Sequence, residues 1–153
     1  MEIERKFTVK KLPENLEGYA CRLIEQGYLS TDPVIRVRRE DDHYYMTYKG
    51  KGLLMREEYN LPLNETAYHH LLEKADGRII RKRRFLIPCE PYTIELDIFE
   101  GELHPLVIAE VEFPSEKEAH SFQPPAWFGE DVTMNPSYHS SNLSRRKAGE
   151  ASL

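Results

Sequence analysis

Apolar and polar residues alternate with a period of two along most of the chain, the pattern of half-buried β-strands. It predicts eight strands, over residues 2–9, 19–29, 34–40, 43–49, 55–61, 79–87, 92–99 and 106–113. Turn chemistry separates them. Asp41-Asp42 parts the third from the fourth, Gly50 and Gly52 follow the fourth, and Pro62 and Pro88 are expected to end the fifth and sixth. Helical periodicity is scarcer. Asn64 is placed to cap a helix running to about Ala75, with Ala67, Leu71 and Leu72 on its apolar side. Ser115 and Glu118 have capping-box spacing, and Asn135-Pro136 reads as a cap followed by proline at the first helical position. No repeat, low-complexity segment or linker interrupts the pattern. One domain over residues 1–143 is expected, followed by a polar tail over 144–153. The expected fold class is α+β, mainly antiparallel β: a closed barrel or a sandwich with few helices.

The polar positions of these strands are unusual. Residues i and i+2 share a face of a strand, so Glu2, Glu4 and Lys6 lie together. So do Arg36 with Arg38, Lys49 with Lys51, Lys82 with Arg84, Glu95 with Asp97, and Glu110 with Glu112. The residues between them are mostly apolar: Ile3, Val37, Leu96, Ile98 and Val111. For one strand, a water-facing sheet surface is the ordinary explanation. It suits six strands poorly, because whole strands are basic and others acidic, and like charges opposed across strands repel. A ligand that carries the missing charges removes the difficulty. Basic strands suit a polyanion, and clustered carboxylates suit a hard cation such as Mg²⁺ or Mn²⁺. A metal-bound polyphosphate calls for both surfaces at once. If the charged faces point inward, a barrel of about eight strands encloses room for one small ligand. The apolar faces then point outward and need cover. Two or three helices are too few to supply it all, which leaves a homodimer contact as a source of the rest.

Composition narrows the classes further. A chain of 153 residues, 40% of them hydrophobic, is long enough to bury a core without disulfide or metal staples. A net charge of −5, from 21 basic and 26 acidic residues, argues against a general nucleic-acid binder. The balance hides local bias, since residues 78–84 hold five basic side chains and residues 95–118 hold eight acids against one lysine and one histidine. No apolar run approaches the ~18 residues of a membrane span, so no membrane partner is expected. Glu2 and Glu4 stand where a secretory leader would be basic and then apolar. Cys21 and Cys89 form neither a C-x-x-C pair nor a zinc pattern. The cytoplasm is therefore the expected compartment, and the sequons at Asn64 and Asn142 carry no weight. Other candidate motifs fall away. His69 and His70 diverge by ~100° around a helix, Gly50-Lys51-Gly52 lacks P-loop spacing, and Arg145-Arg146-Lys147 reads as solvated.

Taken in order, the charged segments resemble a known family. Glu2-Ile3-Glu4-Arg5-Lys6, Gln26-Gly27-Tyr28-Leu29, Ile35-Arg36-Val37-Arg38, Thr47-Tyr48-Lys49-Gly50-Lys51, Lys82-x-Arg84, Glu95-Leu96-Asp97 and Ala109-Glu110-Val111-Glu112 resemble successive strands of the CYTH domain. This is the triphosphate tunnel metalloenzyme superfamily. Trp127-x-Gly129-Glu130-Asp131-Val132-Thr133, Tyr138 and Asn142-Leu143 resemble its C-terminal segment. The resemblance covers about residues 2–143. It implies an eight-stranded antiparallel barrel, open as a tunnel, that hydrolyses or cyclises a triphosphate with Mg²⁺ or Mn²⁺. It implies metal-side carboxylates at Glu2 and Glu4, their partners across the tunnel at Glu110 and Glu112, and a further site acid at Asp97. Glu2, Glu4, Asp97 and Glu112 are the implied catalytic carboxylates. Lys6, Arg36, Arg38, Lys49, Lys51, Lys82 and Arg84 are the implied triphosphate ligands.

The fifth strand departs from the family, whose members commonly carry E-x-E there, just before a proline. Counting back from Pro62 by twos gives Asn60, Glu58 and Arg56. Glu58 is then the one carboxylate expected on the metal from this strand, and Arg56 is expected to turn the missing acid's place to phosphate binding. Glu57 takes the position only if the register slips or a bulge intervenes. The expected activity is hydrolysis of inorganic triphosphate to pyrophosphate and phosphate. Cyclisation of ATP as in class IV adenylate cyclases, hydrolysis of thiamine or nucleoside triphosphates, and a non-catalytic polyphosphate- or nucleotide-binding module are the alternatives.

Overall fold

Each stretch with a period of two becomes a strand, and the strands pair antiparallel into one sheet. The computed structural model describes residues 1–145. Its strands are β1 (Glu2–Val9), β2 (Ala20–Thr31), β3 (Val34–Glu40), β4 (His43–Lys49), β5 (Met55–Arg56), β6 (Glu58–Leu63), β7 (Asp76–Cys89), β8 (Tyr92–Phe99), β9 (Val107–Glu112) and β10 (Phe128–Asp131). The helices are α1 (Glu65–Leu72), α2 (Glu116–Ser121) and α3 (Ser140–Leu143). Strand order is β10-β1-β9-β8-β7-β2-β3-β4-β6, with β5 paired to β1.

The pairing of β5 with β1 closes the sheet. β5 and β6 are two halves of one stretch, broken at Glu57, whose carbonyl accepts the Gly50 amide at 3.0 Å. The second half pairs with β4 through Lys49↔Glu58 and Thr47↔Asn60. The first half pairs with β1 through Glu2↔Arg56 and Ile3↔Met55. The expected α+β barrel results. β10 continues the same edge of β1 farther along, at Phe7↔Asp131 and Val9↔Phe128.

The parity of the strands sorts the two faces. Ile3, Phe7, Phe85, Ile87, Ile94, Leu96, Ala109 and Val111 lie outside the barrel and form one buried cluster. Ala119 and Phe122 of the α2 segment and Phe128 of β10 cover it. Arg5 shares this outer face, and its guanidinium donates to the carbonyl of Ala119 at 2.7 Å and to Asp131 at 2.8 Å. The inner parity is charged for most of its length and turns apolar toward one end. There Tyr28, Val34, Ile80, Phe99 and Ile108 join Leu103 and Leu143 in a second buried cluster. α1 covers β2, β3 and β4 through Tyr68, fully buried, whose hydroxyl donates to the Glu25 carboxylate at 2.9 Å. Gly27 makes this docking possible, because a Cβ there would lie 2.8 Å from the Cβ of Ala75. Outside β4 and β6, Tyr48, Tyr59 and Leu61 stay exposed.

Several expected boundaries are corrected. β6 runs through Pro62 to Leu63, and β7 runs through Pro88 to Cys89. The other edge of β6 carries no strand at Pro62, and the pairing of β2 with β7 stops at Leu86. Neither proline is therefore asked for a ladder hydrogen bond on that side. α1 ends at Leu72 rather than near Ala75, and the chain leaves it through turn bonds from Lys74 and Ala75. Asn64 caps it as expected, accepting the Ala67 amide at 2.7 Å. Ser115 accepts the Glu118 amide at 3.2 Å, but the Glu118 carboxylate accepts from the Tyr92 hydroxyl at 2.7 Å. Asn135-Pro136 opens only a single 3-10 turn, Pro136–Tyr138. Of the expected polar tail, Ser144 is buried and its carbonyl accepts the Arg78 amide at 2.8 Å, while residues 146–153 lie outside the described residues.

The outer cluster stands on Phe7, whose ring lies 4.8 Å from Phe128 and 6.2 Å from Phe122, centroid to centroid. Phe7→Ala is expected to lower the unfolding free energy by about 3–5 kcal/mol. Urea denaturation measures this, and a loss under about 1 kcal/mol would show that the cluster collapses onto the void.

Candidate active site

Inside the barrel is a cavity of about 360 Å³, near the small end of the range for small-molecule sites. Its wall is mostly polar, with Val34 and Leu53 among its apolar parts. Carboxylates come from β1 (Glu2, Glu4), β9 (Glu110, Glu112), β8 (Glu95), β6 (Glu58) and β3 (Glu40). Cations come from β1 (Lys6), β3 (Arg36, Arg38), β4 (Lys49), β5 (Arg56) and β7 (Lys82, Arg84). Because β1, β9 and β8 are neighbours, their acids form one arc, and the cations of β7, β3 and β4 form most of the rest.

Burial forces these charges into pairs, since an isolated buried ion is costly. Lys6 Nζ donates to Glu4 at 3.0 Å and to Glu110 at 2.8 Å. Lys49 Nζ donates to Glu2 at 2.9 Å and lies 3.6 Å from Glu58. Arg84 makes a forked bond to Asp97, Nε to Oδ1 at 2.8 Å and Nη2 to Oδ2 at 2.9 Å, and reaches Glu95 at 3.1 Å. Arg38 Nε donates to the buried Gln26 carbonyl oxygen at 2.7 Å. Arg36 differs: its Nε is buried with no hydrogen-bond partner among the described residues.

The acid arc carries strain of the opposite sign. Glu4 faces Glu112 across β1 and β9, and Glu95 faces Glu110 across β8 and β9. Glu4, Glu95 and Glu110 each offer an oxygen within 4.8 Å of the others. Burial and the charge of Glu110 push the Glu4 carboxyl up to about 8. Burial also raises Glu95, and burial with the charges of Glu2, Glu58 and Glu95 raises Glu112. Glu110 is held well below the usual range, because Lys6 and Arg84 outweigh its burial. Three crowded carboxylates are the hard-oxygen donor set of a divalent cation. Among the cations, burial pulls Lys82 down to about 8 against the opposing charge of Asp97.

Nearly all of the residues expected in the site meet in this cavity. Glu2, Glu4, Lys6, Arg36, Arg38, Lys49, Arg56, Glu58, Lys82, Arg84, Glu110 and Glu112 all line it. Two do not. Lys51 falls in the exposed bend after β4 and is not in the wall. Asp97 is fully buried behind the wall, with both oxygens taken by Arg84 and one also by Lys82 at 2.8 Å. It anchors two cations rather than facing the cavity. On the fifth strand, Arg56, Glu58 and Asn60 line the cavity and Glu57 is exposed.

Some lining residues were missed in the sequence. Tyr28 and Glu40 sit at inward parity on strands already identified, so the period of two was the signal that could have found them, and Tyr45 and Asn60 line the cavity from the same parity. His139, Ser140 and Ser141 reach the wall from the loop and short helix after β10, where no periodicity marks them. His139 is buried, and its Nε2 donates to the Thr133 carbonyl at 3.0 Å. Burial, with Lys6 and Arg56 nearby, pushes it down to about 4.

A closed antiparallel barrel with an acid arc opposite a basic one defines a charged tunnel fold. The sequence profile of the CYTH domain matches residues 1–147, and the chain belongs to that family. Among curated proteins, it is 42% identical to the inorganic triphosphatase of Nitrosomonas europaea, over 93% of this chain and 95% of that one. It is 38% identical to the inorganic triphosphatase of Acetivibrio thermocellus, over 93% and 92%. The crystal structure of an inorganic triphosphatase superposes with a TM-score of 0.73 at 36% identity, covering 97% of each chain. A putative adenylate cyclase from Bacillus halodurans shares the fold, with a TM-score of 0.62 at 18% identity.

The state of His139 gives a pH prediction. Its ordinary value of 6.5 falls to about 4 in the fold. The unfolded chain therefore takes up the proton first, and stability is lost as pH falls from about 6.5 to about 4. His139→Gln is expected to reduce that acid-side loss by up to about 3 kcal/mol. Urea denaturation at pH 4.5 and 7 measures it, and equal losses in both proteins would show that the ring is not held neutral.

Proposed function

We propose that this chain hydrolyses inorganic triphosphate to pyrophosphate and phosphate with a divalent cation, Mg²⁺ or Mn²⁺. The observation that carries the reading is the cavity wall, where a ring of lysines and arginines faces an arc of crowded carboxylates. Relatives at 42% and 38% identity that carry the name inorganic triphosphatase support it over nearly their whole length. The cavity is small, and its wall offers little besides Tyr28 and Tyr45 for an organic ring to stack on, which favours a substrate made of phosphate alone.

Glu4, Glu95 and Glu110 fit a divalent cation by their oxygen chemistry and spacing. They would hold it, and the chemistry it would supply there is neutralisation of phosphoryl oxygens. The remaining work belongs to the chain. Arg36, Arg38, Lys49, Arg56, Lys82 and Arg84 hold the triphosphate oxygens, and the unpartnered Arg36 Nε offers a donor that needs an acceptor. Little covalent work is needed for phosphoryl transfer, so fixed charges that stabilise the transition state account for most of the catalysis. Glu112 takes the water proton in this reading. It lines the cavity, forms no ion pair among the described residues, and has a pKa raised by burial and by Glu2, Glu58 and Glu95.

The test is phosphate release from inorganic triphosphate and from ATP, with Mg²⁺, Mn²⁺ or chelator, and products identified by phosphorus NMR. Orthophosphate and pyrophosphate from triphosphate, dependent on the metal and faster than any ATP turnover, are the expected result. Cyclic AMP from ATP overturns the reading in favour of the cyclase. Glu112→Gln is expected to slow release ~10²–10⁴-fold while triphosphate still binds. Full turnover by this variant removes Glu112 from the chemistry.

A further inference from the structure

We propose that Thr47 and Asn60 form a neutral relay that holds Arg36 in place without neutralising it, and that Asn60 thereby sets the affinity of the cavity for its anion. The inference rests on the triphosphate reading above.

Among the described residues, the buried cations are Lys6, Arg36, Arg38, Lys82 and Arg84. Four have a carboxylate within ion-pair distance: Lys6 has Glu4 and Glu110, Arg38 has Glu40 at 3.8 Å, Lys82 has Asp97, and Arg84 has Asp97, Glu95 and Glu110. Arg36 alone has none, although it is only 5% exposed. Its Nε is buried without a partner. Burial and the charge of Arg38 both act against its protonated form, so the guanidinium pKa is lowered.

What holds Arg36 is a row of three residues across three strands. Arg36 pairs with Thr47 between β3 and β4, and Thr47 pairs with Asn60 between β4 and β6. The register brings the side chains into a chain of hydrogen bonds. Arg36 Nη2 donates to Thr47 Oγ1 at 3.0 Å, and Thr47 Oγ1 donates to Asn60 Oδ1 at 2.6 Å. A hydroxyl has one proton to give. Committing it to Asn60 leaves the Thr47 lone pairs for Arg36, so the direction of the relay is fixed. Every group in the relay is neutral except the guanidinium.

The identity of residue 60 decides the charge. A carboxylate there would stand one hydroxyl from Arg36 and supply a nearer countercharge than Glu2, which favours the guanidinium but makes no ion pair with it. That would relieve the buried guanidinium and leave it less to gain from a phosphoryl group. Asn60 has the same shape and an acceptor oxygen in the same place, but no charge. The relay orients Arg36 and leaves its charge for the substrate. Thr47 and Asn60 are positioning residues in this account.

The test separates this from a purely structural role. Binding of inorganic triphosphate is measured by calorimetry in chelator, where no cation can be recruited by a new carboxylate, and the ligand-free thermal midpoint is measured beside it. Asn60→Asp is expected to weaken triphosphate binding about tenfold and to raise the ligand-free midpoint by about 2–4 °C. Stability and affinity then move in opposite directions. Thr47→Val is expected to weaken binding, and Thr47→Ser, which keeps the hydroxyl, to retain it. Equal affinity of Asn60→Asp and the wild type, a midpoint that falls in that variant, or equal affinity of the Val and Ser variants overturns the relay. If the wild type binds no triphosphate with or without Mg²⁺, the functional reading fails and takes this inference with it.

Discussion

A sheet that closes with its charged side inward makes every buried ion without a countercharge costly. That constraint organises this protein. It explains why the acids lie on β1, β9 and β8, which are adjacent in the sheet, and the cations mostly on β7, β3 and β4. Where the two arcs meet, direct ion pairs form: Asp97 with Arg84 between β8 and β7, and Glu2 with Lys49 where β1 faces β4 across the short β5–β6 stretch. Lys6 is the exception that relieves the acid arc from within, between Glu4 and Glu110. The same closure fixes where the hydrophobic core can be. It cannot fill the barrel, so it coats the outside under α2 and β10 and gathers again at one end, where the inward positions turn apolar.

Much of this was legible in the sequence because a period of two is easy to read when one face is charged and the other is not. Glu2, Glu4 and Lys6 alternate with Ile3, Arg5 and Phe7, and that was enough to place them on opposite sides of a wall. The sign of each strand was equally legible. The depth of a residue along its strand was not. Asp97 and Glu95 share a face, yet Glu95 lines the cavity and Asp97 is buried behind it holding Lys82 and Arg84. Parity gives the side of the sheet; it does not tell a residue that faces the ligand from one that anchors those that do. Lys51 stands outside the cavity wall for a related reason. It keeps the parity of Lys49, but β4 ends at Lys49, and beyond the end of a strand parity has no meaning.

The remaining gaps come from contacts distant in sequence. The order in which strands pair, and the use of residues 55–63 to join β4 to β1, depend on non-local pairing that alternation does not encode. Pro62 and Pro88 looked like terminators because a proline cannot donate to a ladder. Their tolerance follows from an open edge that only the assembled sheet reveals. His139 entered the wall from a segment with no periodicity, and its neutral state depends on burial beside Lys6 and Arg56, which lie far away in the chain.

The closed network of ion pairs also bears on how the proposed reaction begins. With no ligand, the carboxylates of the acid arc already occupy Lys6, Lys49 and Arg84. An anion that takes those cations leaves Glu2, Glu4 and Glu110 buried and unpaired, which is costly. A cation that takes Glu4, Glu95 and Glu110 leaves Lys6 without a carboxylate and Arg84 with Asp97 alone. On the proposed reading, each ligand relieves the charge that the other exposes, so anion and metal bind with positive coupling. Arg36 stands outside this exchange. Among the described residues it has no carboxylate to give up, so an anion can engage it without breaking an ion pair. First contact with Arg36, followed by exchange of partners across the acid arc, is the sequence that strands the fewest charges.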